Sequence, residues 1–393
     1  MISINIITFN GERYIKKCLE SVAHQTYKNI EVNILDNNSQ DNTVKVLEKT
    51  LKSLKLKAIS YFERSEKQSS IRRIGLYKLK ANLGFAKGHN MLIEKSRGEY
   101  ILMLNQDAWL DKWYIANALD IFKKDDKIAA LQPKIYRYDF EKNAIVKKES
   151  KPIIDATGLV VLKNRRVIAQ GQGQPDEGQF ENPPSSASWR TTEGVRFSKD
   201  SALPRQENLT EVFGADGAAP IFRRTALDDI KIPIFHHTKY KIPNTKYEYF
   251  DQDFFMYKED VDLSWRLRLY GWKILYSPGL IAYHERGSGE SAATNYLDII
   301  KERRHVSQCA KALSWRNQRL MQVKNELPGI YFRHFPCIFA KELASFFYIL
   351  FFEHFALRSI KEFFILLPAC MKKREIIMAH RKVSAREMRK WFQ

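Results

Sequence analysis

Residues 254–284 read FFMYKEDVDLSWRLRLYGWKILYSPGLIAYH and are the most informative part of this chain. Three carboxylates, Glu259, Asp260 and Asp262, open a helical pattern. A Gly-Trp pair ends that pattern, and a strand-like apolar run that closes on His284 follows. The order predicts a helix that begins at Glu259 and leads into a strand.

The carboxylates of this helix fall on different faces. Asp262 and Arg266 stand four residues apart and are equally compatible with a helix ion pair that has no catalytic role. Asp260 turns toward the face of Leu263 and Leu267. A carboxylate on an apolar face is costly unless it has a partner or a task, so we predict Asp260 as a general base.

The first third of the chain alternates strand-like and helical patterns. The apolar runs are residues 2–7, 30–35 and 100–104, and the helical patterns between them are residues 12–24 and 44–56. Strands that alternate with helices predict a mainly parallel α/β sheet. Ligands of such sheets bind beyond the carboxyl ends of the strands.

Polar residues follow each of these three runs. They are Thr8, Asn10, Asp36, Asn37, Ser39, Asn105 and Asp107. Each cluster alone is compatible with ordinary turn chemistry, but three at one sheet edge predict a site for a nucleoside diphosphate. Asp36 could accept the N3–H of a pyrimidine, and Asp107 offers a hard oxygen ligand for Mg²⁺ or Mn²⁺.

A series of motifs along residues 1–290 carries a family resemblance. In chain order they are TFNGERYIKKCLESVAHQTY, DNNSQDNT, NLGFAKGHN, LNQDAWL, DATGLVV, GADGAAPIFRR and EDVDLSWRLRLYGW. Together they resemble glycosyltransferase family 2, the inverting enzymes of the GT-A fold, and in particular its bacterial rhamnosyltransferase-like branch. The resemblance implies a Rossmann-like, mainly parallel mixed sheet flanked by helices.

The resemblance also implies roles for individual residues. The donor site is expected to contain Thr8, Asn10, Asp36, Asn82 and Asp107. The Glu259-Asp260 pair is expected to be catalytic, with Asp260 as the base. Asp107 and His284 are expected to hold Mg²⁺ or Mn²⁺ and face the donor diphosphate.

One motif departs from the family pattern. Asn105-Gln106-Asp107 lacks the first carboxylate of a DXD-type sequence, so we expect one strong metal ligand from it and weak or partial metal dependence. His284 could compensate. The alternative for His284 is a histidine that caps a strand or is hydrogen-bonded in the core.

Acceptor contacts are assigned to Asp216, Gly217 and Trp265. The small residues around Gly217 would let a sugar approach the backbone, whereas Asp216 is equally compatible with a turn aspartate. Residues 171–189, rich in Gly, Pro, Ser and Gln, predict a loop that serves as a lid or as part of the acceptor groove.

The C-terminal region differs from the rest in charge and pattern. Residues 301–393 hold 19 Lys and Arg against 7 Asp and Glu, so they carry +12 of the net charge of +20. Apolar residues recur at helical spacing from Phe335 to Leu350, with Lys341 and Glu342 between them, and the basic patch 372–374 follows later. This pattern favours an amphipathic helical extension on a membrane surface; the alternative is a packed helical subdomain. No base-stacking or zinc-finger motif supports a nucleic-acid partner.

The sequence therefore predicts a GT-A catalytic domain at 1–295 and a basic helical region at 296–393. The expected protein is an inverting transferase that moves a sugar, in the first instance L-rhamnose from dTDP-L-rhamnose, onto a lipid-carrier-linked glycan of cell-surface polysaccharide such as O-antigen. Four scattered cysteines and an N-terminus unlike a signal peptide favour a cytoplasmic protein, peripheral on the inner face of the plasma membrane. Alternatives are a UDP-sugar-dependent enzyme, a nucleotidyltransferase and a non-catalytic nucleotide-sugar or glycan-binding protein.

Overall fold

The structure is a computed structural model, and it describes residues 1–54, 71–181, 209–235, 246–286 and 296–393. Residues 55–56 of the second predicted helix and residues 182–189 of the predicted loop lie outside this part of the chain.

The strands are β1 (Ile2–Thr8), β2 (Ile30–Asp36), β3 (Ile71–Lys78), β4 (Tyr100–Asn105), β5 (Ala108–Leu110), β6 (Ile128–Asp139), β7 (Ala144–Ile145), β8 (Lys147–Lys148), β9 (Lys151–Pro152), β10 (Ile154–Ala156), β11 (Leu159–Val161), β12 (Val167–Ala169), β13 (Thr210–Glu211), β14 (Ile221–Arg223), β15 (Ile232–Pro233), β16 (Tyr247–Glu248) and β17 (Lys273–His284). The α-helices are α1 (Ile15–Ala23), α2 (Thr43–Ser53), α3 (Gly84–Lys95), α4 (Tyr114–Phe122), α5 (Arg224–Ile230), α6 (Glu259–Leu269), α7 (Tyr296–Arg304), α8 (Gln308–Asn325), α9 (Pro328–Phe352), α10 (Leu357–Ala379) and α11 (Ala385–Arg389).

One mixed sheet organises the first region. Its described strands run in the order β13-β17-β6-β14-β4-β1-β2-β3, with β5 paired to β17 and with β7 and β10 paired to β6. Strands β4, β1, β2 and β3 are mutually parallel, as are β6 and β17. Strand β14 is antiparallel to both β4 and β6 and joins the two parallel halves.

The sequence accounts for the central strands. Every residue of β2 is buried, as are all but one of β1, which is what a parallel strand covered on both faces requires. Helices α1, α2 and α4 share one apolar core with these strands. Helices α3, α5 and α6 share a second core, which also holds residues of β4. The three predicted strands are present as β1, β2 and β4.

The C-terminal helices are packed into the second core. Leu320 of α8, Leu366 and Ile377 of α10, and Phe392 lie in the same cluster as Trp265 of α6. Helix α8 runs along α10 and contacts α6. The predicted boundary between 295 and 296 therefore separates two parts of the chain that share a core, and the alternative of a packed helical subdomain describes this region.

Helix α9 is unusual in the orientation of its faces. Its 25 residues are apolar enough to cross a membrane by length and composition, and only 11% of its most apolar 18-residue window is buried in protein. Lys341, Glu342 and Ser345 lie on the partly buried side of the helix. The phenylalanine side chains of the helix are exposed, whereas Tyr331 and Tyr348 are partly buried. This is the opposite of a soluble surface helix, which buries its apolar stripe.

Candidate active site

The pairing of two strands brings Asp107 and His284 together. Strand β5 begins one residue after Asp107 and runs antiparallel to the end of β17, so that Ala108 pairs with His284. The Glu285 backbone N–H donates to the Asp107 carbonyl at 3.0 Å. As a result, His284 Nε2 lies 3.4 Å from Asp107 Oδ1. Two residues 177 positions apart thus face each other at the carboxyl edge of the sheet.

A buried carboxylate fixes the other side of the imidazole. His284 Nδ1 lies 2.9 Å from Oδ2 of Asp155, which is fully buried on β10. Arg286 binds the same carboxylate with two hydrogen bonds, 2.7 Å from Nε to Oδ1 and 3.2 Å from Nη2 to Oδ2. Burial alone would raise the pKa of Asp155, but Arg286 and His284 hold it well below its ordinary value.

These residues fit a divalent cation. Asp155 orients His284 so that its second nitrogen points at Asp107, the arrangement in which a metal-ligating histidine is held by an outer carboxylate. Burial by itself lowers the pKa of His284, but the charges of Asp107 and Asp155 raise it to about 10, so a divalent cation would have to displace the proton that these carboxylates favour. Within the described residues no group of three or more His, Cys, Asp or Glu side chains converges. The protein would therefore supply two donors, Asp107 and His284, and a diphosphate could complete the shell.

Helix α6 begins at Glu259, as predicted. Each of its residues is buried except Asp260, the one member of the described helix that is partly open to solvent. The backbone N–H groups of Val261 and Gly217 hydrogen-bond the Asp260 carboxylate, the first at 2.7 Å. The remaining lone pairs of that carboxylate stay available to a ligand.

The turn before α6 is strained. Phe255, Tyr257 and Lys258 have positive φ values of 64°, 71° and 73°. Bulky residues in this left-handed region cost about 1–3 kcal/mol each and persist where the surroundings hold them, often at functional sites.

Helix α8 supplies that support. Asn317 Nδ2 donates to the carbonyls of Phe254, Met256 and Tyr257 at 2.8, 2.9 and 2.9 Å. Arg316 donates to the carbonyl of Asp253 at 2.8 Å. The C-terminal region thus holds the backbone that presents the Glu259-Asp260 pair.

The two carboxyls of this pair have raised pKa values. Burial and then the charge of Asp216 raise the pKa of Asp260 to about 6, although Lys258 opposes them. Burial and then the charge of Asp260 raise the pKa of Glu259 well above its ordinary value, and one of its oxygens is buried without a hydrogen-bond partner. Burial therefore disfavours the ionised form of both carboxyls, and Asp260 is the one whose pKa of about 6 leaves it mainly ionised at neutral pH.

Two predicted donor-site residues, Thr8 and Asn10, bind the neighbouring strand ends. Thr8 is buried, and its hydroxyl donates to Gln106 Oε1 at 2.6 Å. Asn10 has a φ of 49°, and its side chain accepts a hydrogen bond from the Gln40 backbone. Gln106 also accepts from the Phe9 backbone N–H at 2.9 Å, so the middle residue of Asn105-Gln106-Asp107 ties β1 to β4.

Asp36 and Asn82 lie on the same side of the sheet but are not part of the main cavity wall. Asp36 Oδ2 accepts from the Ser39 backbone N–H at 3.2 Å, whereas its Oδ1 is buried with no hydrogen-bond partner. Asn82 Oδ1 accepts from the Gly84 backbone N–H at 2.8 Å, at the start of α3. Neither residue lines the cavity, and neither do Thr8 and Asn10.

Two of the three predicted acceptor residues lie at the cavity, and the third does not. Gly217 adjoins Asp260, since a Cβ built on it would lie 3.7 Å from the Asp260 Cβ. Asp216 Oδ2 lies 3.5 Å from Arg286 Nη2, and both residues line the cavity. The expectation for Trp265 is wrong. Its side chain is fully buried against Phe213 and Phe392, because it projects from the core side of α6.

A single cavity of about 660 Å³ joins these groups. The described residues at its sheet end include Asp107, His284, Arg286, Asp216 and Asp260. From there it extends beneath α8 and α9. A candidate metal-binding pair and a candidate base therefore open onto the same space, which is large enough for a ligand with several groups.

Comparison with known proteins assigns the family. The model of glycosyl transferase family 2 matches residues 3–230, more than half of the chain. The chain belongs to glycosyltransferase family 2.

Two relatives agree with this assignment. Chondroitin synthase of Escherichia coli is 29% identical over 206 residues, 52% of this chain and 25% of that protein. Glycosyltransferase GlyA of Streptococcus pneumoniae serotype 4 is 27% identical over 114 residues, 29% of this chain and 14% of that protein. The chain therefore spans a quarter or less of these two relatives.

The crystal structure of GalNAc-T7 with UDP, GalNAc and Mn²⁺ is similar in fold. It has a TM-score of 0.50 at 11% identity, and the match covers 82% of this chain and 48% of that one. The predicted GT-A fold is confirmed.

Sequence reasoning missed four residues of the site: Gln106, Asp155, Arg286 and Asn317. A signal existed for Asp155, because a carboxylate within the apolar run Ile153-Ile154-Asp155-Ala156 must have a buried partner. Gln106 and Asn317 carry no such signal, since their roles depend on which distant backbone they meet.

Proposed function

We propose that this protein is an inverting glycosyltransferase that transfers a sugar from a nucleoside diphosphate to a glycan acceptor, with Asp260 as general base. One observation carries the proposal: the Asp107–His284 pair and the partly open Asp260 face one cavity. The first can hold the leaving diphosphate and the second can deprotonate an attacking hydroxyl, which are the two tasks of a single displacement.

The chain's own residues support each part of that displacement. Asp260 takes the proton of the acceptor hydroxyl as its oxygen bonds to the anomeric carbon and the bond from that carbon to the diphosphate breaks. Attack opposite the leaving group inverts the anomeric configuration. The raised pKa of Glu259 disfavours a second negative charge beside Asp260. Arg286, held by Asp155 and Asp216, adds positive charge near the diphosphate.

Asp107 and His284 would hold Mg²⁺ or Mn²⁺. When bound, the ion neutralises negative charge on the diphosphate. The missing first carboxylate of the motif leaves two protein ligands, which supports partial rather than strict metal dependence.

The proposed donor is a pyrimidine nucleotide sugar, in the first instance dTDP-L-rhamnose. The unpartnered Oδ1 of Asp36 supports the pyrimidine, because a buried carboxylate oxygen without a partner is costly and an N3–H would satisfy it. The rhamnosyl group rests on the resemblance of the motifs alone. UDP-sugars present the same N3–H and are the alternative donors.

We also propose that the protein is peripheral on the cytoplasmic face of the membrane, where it extends a lipid-carrier-linked glycan of surface polysaccharide. An exposed apolar surface, the aromatic face, supports this. It comprises Phe332, Phe335, Phe339, Leu343, Phe346, Phe347, Phe351, Phe352, Phe364 and Ile365. Arg333, Arg358, Lys361 and Lys372 are exposed close to it in sequence, a composition suited to the bilayer interface.

Donor binding tests the proposed function. Purified protein is heated with dTDP-rhamnose, UDP-sugars and GDP-mannose, each with and without Mn²⁺, and a ligand raises the melting temperature by mass action. We expect stabilisation by pyrimidine nucleotide sugars that Mn²⁺ strengthens, and loss of that stabilisation in Asp36→Ala. A response to UDP-sugars alone would keep the enzyme class and reject the rhamnosyl donor. An unchanged melting temperature with every nucleotide sugar of the panel would reject the transferase function.

Flotation with anionic vesicles tests the membrane proposal. Removing the C-terminal helices is unsuitable, because α10 and Phe392 belong to the core. We instead expect Phe347→Ser with Phe351→Ser to reduce flotation, since these rings stack on each other and are 46% and 63% exposed. Equal flotation of the two proteins would contradict the interfacial role.

A further inference from the structure

The part of the cavity that is lined by α7, α8 and α9 is strongly basic. The described residues that line it include five cations, called here the distal basic end: Arg166, Arg303, Lys311, Arg319 and Lys341. All are 28% exposed or less. Arg166 follows β11, and the other four belong to α7, α8 and α9. None of them comes from the strand ends that form the donor site.

Fewer carboxylates than cations are present at the distal basic end. Glu353 is shared, because Arg303 binds it with two hydrogen bonds and Lys311 lies 3.4 Å from it. Glu342 is likewise shared by Arg319 and Lys341.

Arg166 lies 3.7 Å from Glu302. Five cations thus face three carboxylates within the described residues, which leaves an excess of two positive charges in a recessed space.

Burial makes this excess costly. It lowers the pKa of Arg319 to about 10 and lowers the pKa values of Lys341 and Arg166, in spite of their carboxylate neighbours. Desolvated like charges destabilise a fold unless a counter-ion joins them. A bound anion would offset that cost.

The distal basic end is continuous with the catalytic pair. Burial lowers the pKa of Lys258, Asp260 raises it, and the charges of Arg166 and Lys341 lower it further. Lys258 therefore lies within electrostatic range of both ends of the cavity. A ligand whose hydroxyl reaches Asp260 can place an anionic group among the distal cations.

Helix α9 connects this end to the aromatic face. Lys341 and Ser345 line the cavity from one side of the helix, whereas Leu343, Phe346 and Phe347 are exposed on the other. If the aromatic face lies in the acyl boundary of a bilayer, the cations lie about one helix diameter, roughly 10 Å, above it. That is the level of lipid phosphates.

We propose that the distal basic end binds the phosphate or diphosphate of a lipid-linked acceptor, whose chain leaves the cavity beside the aromatic face. The inference rests on the proposed transferase function and specifies its acceptor: a glycan attached through phosphate to a lipid. A lipid-linked acceptor and a water-soluble anionic glycan can both present an anionic phosphate to these cations. Only the lipid-linked acceptor also carries an apolar chain.

Calorimetry with farnesyl diphosphate tests the proposal on the full chain in EDTA, so that the metal pair does not contribute. We expect binding that is much weaker for inorganic pyrophosphate and absent for farnesol. Lys341→Gln and, separately, Arg319→Gln should weaken it roughly tenfold to a hundredfold, the loss expected for a charge-assisted hydrogen bond. Lys123→Gln is the matched control, because Lys123 is 71% exposed and lies outside both the cavity and the aromatic face.

Each outcome of these binding measurements supports or overturns part of the proposal. Unchanged affinity in both cavity variants, with melting temperatures like the parent, would overturn the site. Equal affinity for pyrophosphate and farnesyl diphosphate would overturn the proposal that the acceptor carries a lipid chain. Nucleotide-sugar binding without farnesyl diphosphate binding would reject this inference while the proposed transferase function stands, and silence toward nucleotide sugars would reject that function separately.

Discussion

Two charged regions flank helix α8, and they are built in opposite ways. The first, the buried charge cluster, consists of Glu248, Asp251, Asp253, Asp262, Lys324 and Lys373. Lys373 lies 2.6, 2.5 and 2.9 Å from Glu248, Asp251 and Asp253. Lys324 contacts Asp251 and lies 3.0 Å from Asp262. The second region, the charged wall of the cavity, comprises the Glu259-Asp260 pair that we propose as catalytic and the distal basic end.

The difference lies in how charge is matched. In the buried cluster each lysine has several carboxylate partners and no room for a ligand, and Asp262 also pairs with Arg266 at 3.1 Å. Burial raises the pKa of Glu248 to about 7, which leaves that carboxyl partly protonated and reduces the negative excess. In the cavity, Asp260 and the distal cations are each short of opposite charge. Removing one partner from the buried cluster would leave a buried charge unpaired, whereas we propose that the unmatched charges of the cavity bind substrate.

The largest expected effect separates activity from stability at Asp260. Asp260→Asn should reduce transfer about 10³- to 10⁴-fold, because the acceptor proton loses its base. It should also raise the free energy of unfolding at pH 8 by about 1–2 kcal/mol. The folded pKa of about 6 lies above the ordinary value, so ionisation in the fold costs stability above that pH.

Urea unfolding at two pH values checks the second part. The gain should vanish near pH 4, where the parent carboxyl is protonated in the fold. A variant that is inactive and also destabilised at pH 8 would place Asp260 with the matched charges instead.

The next largest effect is a loss of stability on substitution of Lys373, the central cation of the buried charge cluster. Lys373→Met should lower the free energy of unfolding by about 3–5 kcal/mol, because it leaves buried carboxylates without their cation. Lys372→Met is the matched control, since Lys372 is exposed on the next position of α10, and it should change stability by less than about 0.5 kcal/mol. Equal losses in the two variants would show that the cluster contributes nothing particular.

A smaller effect links the two regions through Asn317. Asn317→Ala removes the donor that three carbonyls of the strained turn share, so stability should fall by about 1–3 kcal/mol. The turnover number should fall about tenfold as Asp260 loses its position, with little change in the KM of the donor. Steady-state kinetics check this. A change in donor KM alone would contradict a positioning role.

The smallest effect concerns pH. Burial and the Asp216 charge raise the pKa of Asp260 to about 6, and a base works only when ionised, so the rate should fall as pH falls through about 6. Asp216→Asn removes one of the raising charges and should move this acid limb to lower pH by less than about one pH unit. If the acid limb of the pH–rate profile stays in place or moves to higher pH, the coupling of the two carboxylates is contradicted.

The sequence predicted those parts of the molecule that local patterns determine. Apolar runs located β1, β2 and β4, and the carboxylates after a turn located the start of α6 at Glu259. Residues that act through distant partners were less accessible. The contact of His284 with Asp155 depends on how β10 and β17 each pair with β6, and Asn317 reaches its carbonyls only after α8 packs on α6. Trp265 was misassigned because the periodicity of α6 does not reveal which side faces the core when nearly every residue is buried.

The support that Asn317 gives to the turn before α6 has a consequence for inheritance. The catalytic motif and the helix that holds its backbone in shape are about sixty residues apart and enclose the segment 287–295. A recombination event within that segment would join a catalytic motif to a foreign supporting helix. Acceptor preference in such a hybrid could be exchanged only together with Asn317 and its neighbours. Lineages that trade C-terminal regions should therefore preserve this amide more strictly than the cations of the distal basic end.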